Sequence, residues 1–306
     1  MDIIVTTNLT KQYNHKLAVN NVNMHVPQGS IYGFVGENGS GKTTIMRMLT
    51  GLAIPTNGTF SLFGVENKDK QINAQREKMS AIVETTSLVP TMTAMDNLKY
   101  QCLYSGLKLS EQEMMNILQK VHLGNVAYGK KVKNFSLGMK QRLGIAMALI
   151  SKPQLMLLDE PMNGLDPEGI AELRDLLIEL NQKEGLTVLI SSHILSELEK
   201  IASHYGFISH GCLLEEVTAT ELHEKCRKII ELKVDNIEKA TEVLNNLYLT
   251  DYKASPNGDI KIFDNVDIGD LVVNMKNAQI KILAINTIEG SVEDYFLNIS
   301  RSQGGF

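Results

Sequence analysis

The sequence has 306 residues, which suffices for one large domain with a smaller one or for two medium domains. Hydrophobic residues make up 43% of it, charged residues 21%, and the formal net charge is -5. This balance is typical of a globular protein and excludes duplex DNA as the expected main partner. The 3 cysteines form no CxxC pair, so neither a disulfide framework nor a zinc site is predicted, and a reducing cytoplasm fits best.

The first predicted elements lead into a glycine-rich turn. Residues 22–26 alternate between apolar and polar side chains, and Pro27-Gln28-Gly29 turns the chain into an apolar strand at 31–35. We therefore predict a hairpin here. After residues 36–43, apolar side chains recur at helical spacing as far as Gly51. The predicted order is strand, glycine loop, helix.

The glycine loop matches the pattern GxxxxGK[ST], in which backbone N–H groups converge on phosphate oxygens at a helix N-terminus. We expect Lys42 to neutralise the β- and γ-phosphates and Thr43 to hold magnesium. The residues predicted to surround the phosphates are Gly36, Glu37, Asn38, Gly39, Ser40, Gly41, Lys42, Thr43 and Thr44.

A helical insert is predicted for residues 86–150. The stretch 109–123 carries apolar residues at helical spacing, and Ser110 with Glu113 predicts a capping box at its start. Two short apolar strands follow, in "LMLLDEP" and "LTVLISSH", with helical sequence between them. This pattern predicts a parallel sheet covered on both faces.

Two adjacent carboxylates, Asp159 and Glu160, end the first of these strands. One can hold the magnesium while the other polarises an attacking water, a division of labour that phosphoryl transfer to water requires. An acidic strand end is common by itself, but beside the glycine loop it indicates an NTPase.

A separate C-terminal domain is predicted from residue 223. Alternating apolar residues at 230–234, a helix at 237–247, two further strand-like runs with a helix between them, and a last helix opened by Ser291 suggest a small α+β unit. We place the boundary near Leu222, giving domains 1–222 and 223–306. No catalytic pattern occurs in the second, so a scaffold role is expected.

From residue 1 to about residue 220, the sequence resembles the nucleotide-binding subunits of ABC transporters. Ser136-Leu137-Gly138-Met139 stands at the position of the signature motif, Asp166 belongs to the D-loop, and His193 occupies the switch-histidine position. Tyr13 matches the aromatic residue that stacks on adenine. The resemblance implies a P-loop NTPase of ABC type, an α/β fold with a mostly parallel core sheet, an antiparallel β hairpin subdomain and a helical subdomain.

That resemblance also implies function. Its expected cofactors are ATP and Mg2+, with Glu160, His193 and Lys42 as catalytic residues and Thr43 and Asp159 at the metal. Ser136 and Gly138 are expected to reach the γ-phosphate held by a second copy of the chain or a similar subunit. The pair would work at the cytoplasmic face of a membrane, beneath a separate transmembrane permease, because no segment here is long and apolar enough to span.

Two departures from the usual pattern are informative. Glu84 stands where the family usually has glutamine, and a carboxylate there is predicted to ligate magnesium while repelling the γ-phosphate. Leu137 and Met139 replace the commoner glycine and glutamine. These departures, with "SVEDYFLNI" near the end, resemble the branch that contains bacitracin-resistance and lantibiotic-immunity exporters.

Three functions remain open at this point. The first is an ATPase that drives export of an amphipathic or antimicrobial peptide. The second is a non-transport member of the superfamily acting on ribosomes or DNA, although such members typically have tandem cassettes or a long coiled-coil arm. The third, a small-molecule kinase, is disfavoured by the signature, D-loop and switch histidine.

Overall fold

The computed structural model describes residues 1–226, 229–264, 266–288 and 290–303, and these divide into two units. Among the described residues, the first unit comprises 1–219 and 299–303, and the second comprises 220–298. The boundary expected near Leu222 falls inside a helix, α8 below. Among the described residues, no helix is long and apolar enough to cross a membrane.

The first part of the chain contains both strands and helices. In order, its elements are β1 (Asp2–Tyr13), β2 (Lys16–Val22), β3 (His25–Pro27), β4 (Ile31–Val35), α1 (Lys42–Thr50), β5 (Asn57–Leu62), β6 (Val65–Glu66), α2 (Ile72–Arg76), β7 (Met79–Ile82), α3 (Ala94–Ser105), α4 (Glu111–Lys120), α5 (Leu137–Leu149), β8 (Leu155–Asp159), α6 (Pro167–Glu184), β9 (Thr187–Ser192), α7 (Leu195–Leu198), β10 (His204–Ser209) and β11 (Cys212–Thr218).

The core sheet has the strand order β11-β10-β4-β9-β8-β7. The strands from β10 to β7 are parallel, and β11 pairs with β10 antiparallel. Every residue of β4, β8 and β9 is buried. Strands buried on both faces read as continuous apolar runs, so the parallel sheet predicted from the sequence is confirmed.

The predicted hairpin before the glycine loop is wrong. Strand β3 pairs antiparallel with β1, in a separate sheet of order β2-β1-β5-β6, whereas β4 lies between β9 and β10. The Pro27-Gln28-Gly29 turn therefore carries the chain from one sheet to the other. Alternation identified a strand, but it does not specify the partner to which that strand bonds.

The helical subdomain contains α3, α4 and α5, as the spacing predicted. Ser110 and Glu113 form the expected capping box, with Glu113 Oε2 accepting from Ser110 N at 2.8 Å. A second box, Thr93 with Asp96, opens α3, and its hydrogen bonds hold the pKa of Asp96 below the usual range. The fully buried Asn97 accepts from Val89 N and donates to Thr93 O, which fixes the segment ahead of α3.

The second unit is built from the rest of the chain. Its elements are α8 (Ala219–Lys225), which begins at the last residue of the first unit, β12 (Ile229–Val234), α9 (Ile237–Asn246), β13 (Tyr252–Ala254), β14 (Asp259–Ile262), α10 (Ile268–Asn277), β15 (Ile282–Ile288) and α11 (Val292–Gln303), of which residues 299–303 are assigned to the first unit. The sheet order is β13-β14-β12-β15, all antiparallel, and α9 and α10 pack on it. The sequence patterns had predicted the strands β12, β14 and β15 and the helices α9, α10 and α11, but not α8 or β13.

Three polar side chains join the two sheets of the first unit. Glu216 on β11 accepts from the Tyr32 hydroxyl at 2.7 Å and from His25 N at 2.7 Å, and its other oxygen lies 3.0 Å from His25 Nδ1. Burial, followed by the charge of Glu216, raises the pKa of Tyr32 well above its usual value. Gly206 on β10 packs against this ring, since an added Cβ would lie 2.2 Å from the Tyr32 hydroxyl.

Replacing Gly206 with alanine is expected to lower the free energy of unfolding by about 1–3 kcal/mol, the usual cost of overpacking a core. Tyr32 cannot withdraw without losing its bond to Glu216. Tyr32→Phe removes the oxygen that clashes, so the double variant is expected to lose less stability than the two single losses combined. Urea denaturation of the four proteins measures this difference, and strictly additive losses would contradict the predicted contact.

Candidate active site

The glycine loop between β4 and α1 has a backbone that only glycine permits at two positions. Gly39 and Gly41 have φ of 82° and 112°, both outside the range that other residues adopt easily. Gly36 and Gly41 are also tightly packed, because an added Cβ would lie 2.4 Å from Ile208 O and 2.6 Å from Ala18 O, respectively. In contrast, nothing lies within 4 Å of a Cβ at Gly39, so the loop is open on that side.

The ammonium group of Lys42 is hydrogen-bonded to the backbone of the glycine loop. Lys42 is 5% exposed, and its Nζ donates to Gly36 O at 2.5 Å and to Glu37 O at 3.1 Å. Ser40 Oγ is buried and has no hydrogen-bond partner among the described residues. A buried hydroxyl without a partner beside a row of backbone N–H groups fits a ligand rich in acceptor oxygens, as a polyphosphate is.

Oxygen atoms suited to a divalent cation lie at the start of α1 and the end of β8. The Thr43 hydroxyl donates to Asp159 Oδ2 at 2.7 Å, and Asp159 is 8% exposed. Among the described residues, no group of three or more His, Cys, Asp or Glu side chains could hold a metal. This donor set fits magnesium, which takes one or two protein oxygens and completes its octahedron with phosphate and water.

Glu160 lies between the other two residues predicted to be catalytic. His193 Nδ1 is 2.8 Å from Glu160 Oε2, and Lys42 Nζ is 3.3 Å from Glu160 Oε1. The second contact is at ion-pair distance without hydrogen-bond geometry, since Oε1 accepts no hydrogen bond from any described residue. Lys42, Glu160 and His193 thus form one cluster at the carboxyl ends of β4, β8 and β9.

The residues of the signature and the D-loop form a second group. Ser136 is the N-cap of α5 and accepts from Met139 N, and Asp166 is the N-cap of α6 and accepts from Gly169 N. A Cβ at Gly138 would lie 3.6 Å from the Cα of Gly169, so the two helix starts touch. Within the described chain, no hydrogen bond or ion pair joins Ser136, Gly138 or Asp166 to the glycine loop.

The remaining predicted residues, Tyr13 and Glu84, make no hydrogen bond or ion pair with the glycine loop among the described residues. Tyr13 ends β1, is 43% exposed, and has Lys11 Nζ 4.8 Å from its ring centre. The side chain of Glu84 is paired with Arg47, which lies one helical turn beyond Thr43 on α1. Glu84 therefore contacts an arginine near the site. Its predicted role as a metal ligand stays a prediction.

Sequence reasoning missed Ser191. This residue of β9 stands opposite Asp159 in the parallel register, is 0% exposed, and bonds to both acidic residues. The available signal was a polar residue at the end of an apolar strand, two positions before His193, in "LISSH". Chemically, the whole arrangement can cradle a polyphosphate, hold a divalent cation and place a carboxylate beside it.

Comparisons with known proteins agree with this chemistry. The ABC transporter family pattern matches residues 19–163. The bacitracin transport ATP-binding protein BcrA of Enterococcus faecalis is 42% identical over 296 residues, 96% of this chain and 95% of that protein. The lantibiotic transport ATP-binding protein SrtF of Streptococcus pyogenes is 43% identical over 242 residues, 79% of this chain and 96% of its own length.

Solved structures give the same fold. An ATP-binding subunit of an ABC transporter superposes with a TM-score of 0.62 at 27% identity, covering 73% of this chain and 92% of its own. The dimeric ATP-binding cassette MJ0796, bound to ADP and Pi in a post-hydrolysis state, gives 0.63 at 24% identity, with 71% and 98% covered. The predicted ABC-type α/β fold is confirmed.

Replacing Gly36 with alanine should disrupt the cradle, because its methyl group would collide with the carbonyl of Ile208. Losing the alignment of one backbone N–H with a phosphate costs about 1.4 kcal/mol or more, so we expect at least about a tenfold weaker nucleotide affinity. Titration with a fluorescent ATP analogue measures it. Gly29→Ala is the control, since Gly29 lies outside the loop and has no neighbour within 4 Å of a Cβ, so that only its positive φ opposes the change. Equal affinities in the two variants would contradict the prediction.

Proposed function

This chain belongs to the ABC transporter family as one of its ATP-binding subunits, and from that premise we propose that it drives peptide-antibiotic export through a separate membrane permease. The observation that carries the proposal is the cluster at the carboxyl ends of β4, β8 and β9. There the glycine loop, Asp159 and Glu160 meet Lys42, Thr43 and His193 within hydrogen-bond or ion-pair distance.

In this proposal each side chain has a separate task. Lys42 and the loop N–H groups bind the β- and γ-phosphates, with Gly36, Glu37, Asn38, Gly39, Ser40, Gly41 and Thr44 shaping the loop. Thr43 and Asp159 hold Mg2+, which supplies charge neutralisation on the phosphate oxygens when bound. Glu160 accepts the proton of the attacking water, and His193, 2.8 Å away, fixes the orientation of the carboxylate.

Each site is completed by a second subunit. Ser136, Gly138 and Asp166 lie together at the starts of α5 and α6 and make no bond to the glycine loop within the described chain. We assign them to the nucleotide held by the partner, which is a second copy or a similar subunit. ATP between the two faces then favours the closed dimer, and hydrolysis removes that preference. Tyr13 is assigned to the adenine ring, and Glu84 to the metal's surroundings.

A groove beside the core sheet is the proposed contact with the permease. It has a volume of about 1020 Å3 and is lined by β7, the segment after it, α3 and α5. Apolar and aromatic side chains on its rim are exposed, Tyr104 by 82% and Tyr100 by 48%. Exposed aromatic groups at the rim of a groove fit an amphipathic helix that lies along the cytoplasmic membrane surface.

The substrate class is taken from the relatives. Two of them are named for bacitracin transport and lantibiotic transport, and the match to the first extends through nearly the whole chain. We therefore propose export of a membrane-active peptide, with recognition of that peptide in the permease. The transport relatives favour this function over the ribosome- or DNA-acting alternative, and neither alternative gains a specific observation.

Changing Glu160 to glutamine removes the proposed base but keeps the shape of the side chain. ATP turnover is expected to fall by about 10²–10⁴-fold, the contribution of a general base. ATP should still bind, and dimers that persist in ATP and Mg2+ should appear in size-exclusion chromatography. Glu179→Gln is the matched control, an exposed residue of α6 paired with Lys183. Undiminished turnover in Glu160→Gln would refute the role of Glu160.

Changing Tyr104 to alanine should separate docking from chemistry. The purified variant is expected to keep its ATPase rate within about twofold, because an exposed surface side chain adds little to stability. In cells that rely on this chain for resistance, protection against bacitracin or a lantibiotic should be lost. Tyr248→Ala is the control, being 90% exposed in the second unit. Full resistance with Tyr104→Ala would count against the groove as the docking site.

A further inference from the structure

Ser191 lies on the central strand of the three that end at the candidate site. Strand β9 lies between β4 and β8, and the parallel register places Ser191 opposite both Phe34 and Asp159. The side chain is 0% exposed. A fully buried hydroxyl costs free energy unless both its donor and its acceptor capacity are used.

Both capacities are used by the two acidic residues of the site. The Ser191 hydroxyl donates to Asp159 Oδ1 at 2.7 Å and accepts from the backbone N–H of Glu160 at 2.9 Å. The direction of these bonds is fixed by chemistry, because an ionised carboxylate only accepts and a backbone N–H only donates. One side chain thus contacts the side chain of Asp159 and the main chain of Glu160.

The bond to Asp159 determines which carboxylate oxygen faces Thr43. With Oδ1 engaged by Ser191, Oδ2 is the oxygen that accepts from the Thr43 hydroxyl at 2.7 Å. The carboxylate is held at both ends and cannot rotate freely. A metal ligand held by a hydrogen bond from its outer side binds more tightly, and removing such a bond typically costs 10–100-fold in metal affinity.

The bond to Glu160 fixes the place where the chain leaves β8. Glu160 has φ of 50°, a conformation uncommon for a residue with a side chain. Its N–H points at Ser191, while its carboxylate meets Lys42 and His193. His193 follows Ser191 by two residues, so one strand end holds both acidic residues.

Other buried hydroxyls of this sheet do not share these partners. Ser30, 5% exposed at the opposite end of β4, donates to Pro27 O at 2.6 Å. Thr187, at the amino end of β9 itself, accepts from Gly29 N. Those two hydroxyls bond to backbone groups of the Pro27–Gly29 turn. Both partners of Ser191 belong to residues of the proposed site, Asp159 and Glu160.

We propose that Ser191 is a positioning residue, which sets the metal-facing oxygen of Asp159 and the backbone of Glu160. This inference rests on the proposed function of the same site. It assigns to Ser191 a task that a merely structural serine would lack, namely control of how strongly a divalent cation binds with the nucleotide.

The test compares Ser191→Ala, Ser191→Cys and Ser191→Thr with Ser30→Ala in the full chain. Affinity for a fluorescent ADP analogue is measured in EDTA, and Mn2+ affinity in the presence of ADP by electron paramagnetic resonance. For Ser191→Ala we expect unchanged nucleotide affinity in EDTA, within about twofold, and a 10–100-fold weaker affinity for Mn2+. The cysteine variant fills the same space with a weak donor, so it should show the same loss.

Ser191→Thr keeps the hydroxyl, so its affinity for Mn2+ is expected to lie within about threefold of that of the unmodified protein. Ser30→Ala is expected to have the same Mn2+ affinity as the unmodified protein. Thermal unfolding identifies any variant that has not folded. If Ser191→Ala does not fold, the Mn2+ affinity of Ser191→Cys is the deciding measurement. Unchanged Mn2+ affinity in a folded alanine or cysteine variant overturns the role of Ser191. Failure of the unmodified protein to bind any nucleotide would instead refute the proposed function, and with it this inference.

Discussion

Parallel hydrogen bonding among β4, β9 and β8 is the constraint on which the rest of the site depends. The register aligns Val35 with Ser192 and Asp159 with Ser191, so the three strands end at one edge. The glycine loop leaves β4 there, the two acidic residues leave β8, and His193 leaves β9. Residues separated by more than a hundred positions in sequence, such as Thr43 and Asp159, come within 2.7 Å because parallel strands in this register bring their carboxyl ends to the same edge.

Charge balance at this edge favours a site that combines backbone donors with a divalent cation. Lys42 carries one positive charge, whereas Asp159 and Glu160 carry two negative charges, and Lys42 and Asp159 are almost fully buried. A polyphosphate adds further negative charge, and burying unbalanced charge costs several kcal/mol per ion. The loop N–H groups at the start of α1 would offset part of it, and a divalent cation held by Thr43 and Asp159 would offset a further part.

Much of this could be predicted from the sequence, because several residues act locally. The glycine pattern, the Ser110–Glu113 capping box and the apolar strands β8 and β9 each depend on neighbours close in sequence. The partner of β3 did not follow, since alternation is the same whether a strand pairs with its neighbour or with a distant one. Ser191 and the Glu84–Arg47 pair also needed the fold, because their partners are brought near only by the sheet and by α1.

The segment that leaves β7 physically connects the proposed docking groove with the nucleotide site. Thr86 lines the groove and packs on Gly144 of α5, where an added Cβ would lie 2.2 Å from Thr86 Cγ2. Two residues earlier, Glu84 pairs with Arg47 on α1, one turn from Thr43. Both partners are well exposed, and exposed ion pairs contribute only about 0–1 kcal/mol. In the proposed function, a partner helix in the groove would shift Glu84 at little energetic cost, whereas the buried hydrogen bonds from Thr43 and Ser191 would hold the carboxylate of Asp159 in place.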